Sequence, residues 1–210
     1  MIPGLDVLLA HLKNQPDPLR IAALNEVRLA LHEVSPFKQE PVDCVLWVPA
    51  DSVIANDYNP NAVAPPEMKL LERSIEGDGY TQPVVAWPKD EKYEVVDGFH
   101  RTRVGKECPA IRERVLGHLP VTVANSSRFD RGDRMASTIR HNRARGKHSV
   151  TAMSDIVVEL KRRKWSNEKI SKELGMDAEE VLRLFQVSGL AEMFKERTFS
   201  EAWEADIAMP

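Results

Sequence analysis

Cysteine is almost absent from this chain: Cys44 and Cys108 are the two thiols in 210 residues. Two unclustered cysteines build neither a disulfide scaffold nor a structural zinc site, and they suit a reducing compartment. No apolar run approaches the roughly 20 residues needed to span a bilayer, which excludes a helical membrane protein. The first residues, MIPGLDVLLAHLKNQPD, lack a basic n-region and a small-residue cleavage site, so no secretory signal is expected. Together these absences predict a cytoplasmic protein with no membrane association. There is no internal repeat and no low-complexity tract. Nor is there a large charge excess: the net charge is −3 and the pI about 6.1. The molecule as a whole is therefore no polycation and carries no broad nucleic-acid coat.

What is present is an ordinary globular balance, 42% hydrophobic and 29% charged residues, which supports a buried core and argues against disorder. The charge is unevenly placed. Ser126–His148 holds six Arg and one Lys against Asp130 and Asp133, an excess of five positive charges that leaves −8 for the remainder. A local basic stretch on an acidic protein suggests a focused anion site.

Hydrophobic periodicity divides the chain. Asp17-Pro18 opens a helix to about Val34 carrying Leu24, Val27 and Leu31. Val42–Val48 reads as a buried strand, and Asn56–Pro66 as a loop. Glu67–Glu76 forms a helix with Met68, Leu71 and Ile75 on one face, stopped at Gly77 and Gly79. Pro83–Trp87 and Tyr93–Asp97 read as two strands joined by a charged turn. Phe99–Glu107 follows as a helix and Leu119–Ala124 as a fourth strand. From about Gly132 the pattern is helical. Val150, Met153, Ile156, Val157 and Leu160 mark one helix, Ser166 caps a second with Ile170 and Leu174 inward, and Gly175 turns the chain. Asp177 then caps a third helix carrying Val181, Leu182 and Phe185. Two short helices joined at Leu-Gly-Met make a helix-turn-helix pattern.

Two stretches carry chemistry. In Tyr93–Glu107, YEVVDGFHRTRVGKE, a strand ends at Asp97, turns at Gly98 and enters a helix with His100, Arg101 and Arg103 in or beside its first turn. Free amides and the helix dipole favour an anion there, arginine adds a planar fork suited to phosphate, and glycine allows close backbone approach. The pattern fits a phosphate cradle and equally a surface helix with solvated arginines. It has the spacing of neither a P-loop nor a Rossmann fingerprint. In Thr138–His148, TIRHNRARGKH, Asn142 offers an amide, Arg140, Arg143 and Arg145 are cations, and His141 and His148 can relay protons. An exposed basic turn fits this stretch as well. The two histidines lack the i, i+4 spacing of a helical zinc motif, so zinc is rejected.

The order of these elements, with NDYNPN (Asn56–Asn61), GYTQPVVAW (Gly79–Trp87), VVDGFHRTRVG (Val95–Gly105) and TIRHNRARGKHSV (Thr138–Val150), resembles the ParB/sulfiredoxin-like superfamily. The resemblance runs from about Val42 to Phe194. With ALNEVRLALHEVSPF ahead of it, the whole chain is similar to the short ParB-like proteins of the IbrB type. Those proteins are described as co-activators of prophage gene expression and are encoded beside a protein resembling a phosphoadenylylsulfate reductase. The resemblance implies an α/β (α+β) fold: a helical extension over residues 1–40, then a nucleotide-binding domain over 41–148 with a small mixed sheet flanked by helices. A helical helix-turn-helix-like module follows over 149–210.

It also implies a site. Gly98, Phe99, His100, Arg101 and Arg103 would cradle the phosphates of ATP, ADP or CTP. His141, Asn142 and Arg143, with Arg145 beside them, would complete the triphosphate site, Asn142 also meeting Mg2+. Thr81, Gln82 and Pro83 would lie beside the base. Partition proteins carry Glu-Asn where His141-Asn142 stands here, and the missing carboxylate weakens a magnesium site, since magnesium takes oxygen ligands. Sulfiredoxin has its reactive cysteine where this chain has Phe99, which counts against that chemistry. Gly98-Phe99-His100-Arg101 is nearer in shape to the Gly-His-His-Arg of a free-serine kinase, so phosphate hydrolysis or transfer is expected. The candidate bases are Glu67, Glu76, Asp97 and His100, although each carboxylate also fits a capping or surface role. The alternative function is a non-catalytic regulator that binds DNA or a partner, with nucleotide as a switch. The DNA-facing helix begins Asp177-Ala178-Glu179-Glu180, which would repel phosphates, and Arg183 is its obvious DNA contact. A homodimer and the reductase-like neighbour are the protein partners that the resemblance suggests.

Overall fold

The computed structural model describes residues 3–57, 65–124, 130–143 and 150–194, with the side chains of 141–143, 151–152 and 188–194 left aside. The chain divides into two compact units, 1–148 and 149–210.

The first unit runs α1 (Leu5–Lys13), α2 (Asp17–Val34), β1 (Leu46–Pro49), β2 (Val53–Ile54) and α3 (Pro65–Asp78). It continues through β3 (Val84–Lys89), β4 (Lys92–Asp97), α4 (Phe99–Glu107), α5 (Pro109–Arg114), β5 (His118–Val123) and α6 (Arg131–Arg143). The strands form one mixed sheet, ordered β1-β5-β3-β4-β2. β1 with β5 and β3 with β4 are antiparallel, whereas β3 with β5 and β2 with β4 are parallel. Period-two alternation sorts the side chains. Val84 and Ala86 of β3 join Val95, Leu119, Val121 and Val48 in the main core, with Tyr80 and Phe99 packed on it. Trp87 and Val96 form a second cluster with Ala124, and Val85 lies against it. β3 and β4 turn at Asp90 and Glu91, both left-handed (φ 47° and 62°), the backbone that a tight two-residue hairpin requires.

Ile75 of α3 packs with Val104, Cys108 and Ile111, and Met68 and Leu71 lie alongside, as the helical spacing predicts. At the sheet's edge Asn25 of α2 copies a neighbouring strand. Its Nδ2 donates to the Trp47 carbonyl (2.7 Å) and its Oδ1 accepts from the Trp47 amide (3.1 Å).

Several expectations are corrected. Val42–Val48 is not one strand: Pro41–Asp43 is a 3-10 turn and β1 begins at Leu46. α2 spans the expected residues but buries none of them, and Leu31 is exposed. α5 and the two-residue β2 have no counterpart in the sequence reading, while α1 lies within the stretch expected to be a helical extension.

The second unit holds α7 (Val150–Arg162), α8 (Asn167–Leu174) and α9 (Ala178–Phe194). The Ser166 hydroxyl accepts from the Lys169 amide, and Asp177 Oδ1 accepts from the Glu180 amide (2.6 Å), so both helix starts are capped. Gly175 supplies the left-handed turn between α8 and α9 at φ 63°. Met153, Ile156, Val157, Leu160, Ile170, Leu174, Val181 and Leu184 are buried. Leu182 and Phe185 are not: the helical period that turns Val181 and Leu184 inward leaves both exposed.

No helix among the described residues is long and apolar enough to cross a membrane.

Candidate functional site

The strand-to-helix turn at Gly98 organises the candidate site. Gly98 caps α4 with φ 94° and ψ 24°, a conformation that side chains disfavour. Its carbonyl accepts from both the Thr102 amide (2.8 Å) and the Thr102 hydroxyl (3.0 Å). A Cβ at Gly98 would stand 3.0 Å from Arg101 Nη2 and 3.2 Å from Arg101 Nε, so the guanidinium lies flat against the glycine.

Arg101 is a brace as well as a cation. Nη1 donates to Gln82 Oε1 (3.2 Å), and Nη2 donates to the Pro83 carbonyl (3.2 Å) and Asp97 Oδ2 (3.4 Å). The fork thus ties the start of α4 to the entry of β3 and the end of β4. Its Nε is buried without a hydrogen-bond partner among the described residues. Of the five guanidinium protons, some remain for a ligand. The Tyr80 hydroxyl donates to the Arg101 carbonyl (3.0 Å), and burial pushes its phenol pKa up to about 12 against the opposing pull of Arg101 and Arg114.

His100 stands next in the first turn. Both ring nitrogens are buried, with no hydrogen-bond partner among the described residues. Its ring meets Phe99 edge to face, centroids 5.4 Å apart. Burial first, and the Arg103 cation second, push its pKa below the usual imidazole value. Buried polar atoms in folded proteins nearly always have partners. A neutral imidazole lacking them, beside the free amides of a helix start, is ready to meet an external anion.

The remaining expected site residues fall into groups. Thr81 and Gln82 are exposed and Pro83 is half-buried; Gln82 and Pro83 accept from Arg101, and Thr81 precedes them in the chain. Arg103 is exposed and forms a two-pronged pair with Glu107 (Nε–Oε1 3.1 Å, Nη2–Oε2 3.0 Å). Two positions along a helix are about 200° apart, so Arg103 and Arg101 leave α4 on opposite sides. Asp97 is buried and serves as an anchor for Arg101. Glu67 is exposed in the first turn of α3. Glu76 accepts from Cys108 Sγ (3.9 Å) and groups with Glu72. Cys108 follows the last residue of α4, about 13–15 Å along the helix from Gly98, so Glu76 belongs to another neighbourhood. A cysteine sulfur with two carboxylates is not a magnesium set. His141, Asn142 and Arg143 end α6, and their side chains lie outside what is described, as do Arg145 and His148 altogether. Arg183, exposed on α9, donates to Glu179 Oε2 (2.9 Å).

Sequence reasoning missed the ion pairs that consume part of the basic stretch. Arg131 Nη2 contacts both oxygens of Asp57 (3.1 and 2.9 Å), holding that carboxyl below its usual pKa. Arg134 lies 3.5 Å from Glu94 Oε1, and Lys89 lies 2.5 Å from Oε2 of the same buried carboxylate. The i, i+3 spacing of Arg131 and Arg134 was a signal that both face the sheet. Asn56 also went unassigned: its Nδ2 donates to the Val95 carbonyl (2.6 Å).

Comparison with known proteins follows the two units. Residues 36–131 match the profile of the ParB N-terminal domain. Residues 148–196 match that of the IbrB-like C-terminal HTH domain. The chain is 54% identical over 197 residues to "Uncharacterized protein YbdM" of Escherichia coli (strain K12), covering 93% of both chains. Among solved structures it is similar to the C-terminally truncated chromosome-partitioning protein ParB of Caulobacter crescentus complexed with CTP-gamma-S. That match has 18% identity, covers 71% of this chain and 83% of that one, and gives a TM-score of 0.40. The same ParB complexed to the centromeric parS site matches at 16% identity, over 72% and 79% of the chains, with a TM-score of 0.45.

Proposed function

The chain belongs to the family that joins a ParB N-terminal domain to an IbrB-like C-terminal helix-turn-helix domain, and from that premise we propose that it binds a nucleoside di- or triphosphate at the start of α4 and hydrolyses or transfers its terminal phosphate. The observation that carries this reading is His100, with both ring nitrogens buried and unpartnered in the first turn of α4. Arg101 supports it, being rigidly held yet retaining a buried, unpaired Nε.

The division of labour follows from the geometry. The amides of the first turn and the Arg101 guanidinium bind the phosphate oxygens. Gln82 and Pro83, clamped by Arg101, border the nucleoside. Of the four candidate bases, His100 fits best. Asp97 is engaged by Arg101, Glu76 faces Cys108, and Glu67 projects from the start of α3. Held neutral by burial, His100 accepts a proton from water or a hydroxyl as that oxygen bonds to the terminal phosphorus. The bond to the bridging oxygen breaks, and the shortened nucleotide leaves with the electron pair. Asn142 and Arg143 would orient the terminal phosphate, and Asn142 would hold Mg2+ where the ion is bound.

Calorimetric titration with ATP, ADP, CTP and GTP, with and without Mg2+, tests the binding. Chromatography of the same mixtures reads phosphate release. One nucleotide should bind, and Arg101→Ala should weaken it by about 10- to 100-fold, the loss of one or two charge-assisted hydrogen bonds. Absence of binding by all four nucleotides would overturn the reading.

A further inference from the structure

The corner where α7 passes to α8 concentrates positive charge. Between positions 161 and 172, Lys161, Arg162, Arg163, Lys164, Lys169 and Lys172 stand against Glu168 alone. Local contacts gather these residues. The Trp165 amide donates to the Leu160 carbonyl (3.1 Å) and closes the end of α7. Lys169 Nζ lies 3.7 Å from the centre of the Trp165 ring, and Trp165 follows Lys164 directly. Glu168 bonds its own amide and Ser166, which hold its carboxyl below the usual pKa, and it also feels the Lys161 charge. Lys169 and Lys172 stand at i, i+3 on α8 and share a face. Arg163 is spent on Glu159 (2.9 Å). Lys164, Lys169 and Lys172 are exposed and have no carboxylate partner among the described residues. No large apolar side chain is exposed between 161 and 172.

We infer that this corner binds the phosphate backbone of a DNA duplex without reading its bases. The surroundings of the lysines select this occupant. A membrane surface asks for apolar side chains beside the cations, and a docked protein asks for an apolar or aromatic anchor. The corner offers neither, because Trp165 is buried. A phosphate chain asks only for spaced cations. Lysine is a point charge without the fork of arginine, and contacts to phosphate carry no sequence information. The fold supplies the direction of approach. In a helix-turn-helix the first helix crosses the backbone, and α8 is that helix. α9, the second, is set against base reading. Asp177 and Glu179 are exposed at its start, and Arg183, the one cation between positions 177 and 187, lies on Glu179 at 2.9 Å.

The test uses the full chain. Anisotropy is followed for two short fluorescein-labelled DNA duplexes, one A·T-rich and one G·C-rich. Contacts from Lys161, Lys164, Lys169 and Lys172 give a salt slope of roughly −3 to −4, so affinity should fall about 100-fold between about 50 and 200 mM salt. The two duplexes should bind within about threefold of each other. Lys164→Glu and Lys172→Glu should each cost at least about tenfold and flatten the slope by about one contact. Arg183→Ala should stay within about threefold of the parent, since its cation contacts no DNA. Thermal melts verify that each variant folds, and Lys161→Gln replaces either lysine variant that melts early. The inference is overturned if neither duplex binds at about 50 mM salt, if the lysine variants bind as the parent does, or if Arg183→Ala costs as much as they do. A preference of more than about tenfold between the duplexes overturns it too, as does equally strong preference for a duplex RNA. So does retention of the chain by vesicles of equal parts phosphatidylserine and phosphatidylcholine at a salt concentration that releases the DNA.

Discussion

The hydroxyl of Tyr80 donates to the carbonyl of Arg101 at 3.0 Å and at the same time lies against Gly105, where a methyl group would collide with it and with Leu119. One tyrosine thus fixes both the height of α4 above the sheet and the backbone of the residue that braces the candidate site. Gly105→Ala must push α4 away from β5. Overpacking of this kind costs roughly 1–3 kcal/mol, which for a chain of this size lowers Tm by roughly 2–12 °C. Tyr80→Phe removes the colliding oxygen along with one hydrogen bond worth about 1 kcal/mol. The double variant should therefore melt above the sum of the two losses, and calorimetric melts of all four proteins check the coupling.

Gly98 carries a different constraint. Its φ of 94° is strained for any side chain, and a Cβ there meets the Arg101 guanidinium and the Val84 backbone at 3.0–3.3 Å. Gly98→Ala should cost about 1–3 kcal/mol of stability from backbone strain. It should also weaken nucleotide binding beyond what the stability loss explains, because Arg101 is displaced. Calorimetry well below the variant's melting range separates the two effects. Binding equal to the parent's would show that the glycine serves the backbone alone.

The parts of this fold legible in the sequence are those where local chemistry and packing agree. α4 begins and ends where the pattern placed it, at Phe99 and Glu107, because Gly98 both ends the strand and caps the helix. The β3–β4 hairpin and α2 were equally plain. β1 came out shorter because Pro41–Asp43 curls into a turn held by the Glu40 and Pro41 carbonyls, which an apolar run does not reveal. α5 was missed although Pro109 at its first position is a start signal, six residues being too few for a periodic pattern. At the site, the sequence named Gly98, His100 and Arg101 together. That Arg103 leaves on the far side, paired with Glu107 four residues on, was open to the same helical spacing but was not drawn from it. That Arg131 and Arg134 are spent on Asp57 and Glu94 could not be told, because those acids approach from distant parts of the chain.

Arg101 and Arg103 should therefore behave differently. Arg103 and Glu107 form an exposed pair, and such pairs contribute about 0–1 kcal/mol. Arg103→Ala should shift Tm by no more than a few degrees and leave nucleotide affinity within about threefold, apart from the small effect of its charge on His100. Arg101→Lys keeps the charge but loses the fork that spans Gln82, Pro83 and Asp97. It should resemble Arg101→Ala rather than the parent. Titrations of the three variants side by side decide this, and rescue by lysine would reduce Arg101 to a point charge.

His100 gives the pH dependence its sign. Burial and Arg103 hold its pKa in the free protein below the ordinary value of 6.5. The unfolded chain then binds the proton more readily than the folded one. Stability contributed by neutral His100 is fully present above pH 6.5 and is lost as the pH falls from there through the folded pKa. Phosphate at the ring reverses the preference, because an anion favours imidazolium and raises the pKa. Binding should therefore take up a fraction of a proton, the His100 that stays neutral being the form that acts as base, and affinity should fall as the pH rises through the pKa of the complex. Calorimetry in two buffers of different ionisation enthalpy reads that uptake directly. In His100→Gln the uptake should vanish and the affinity should become flat between pH 5.5 and 8. A pH-dependent affinity that survives in His100→Gln would place the titrating group elsewhere and leave His100 no contact with the phosphate.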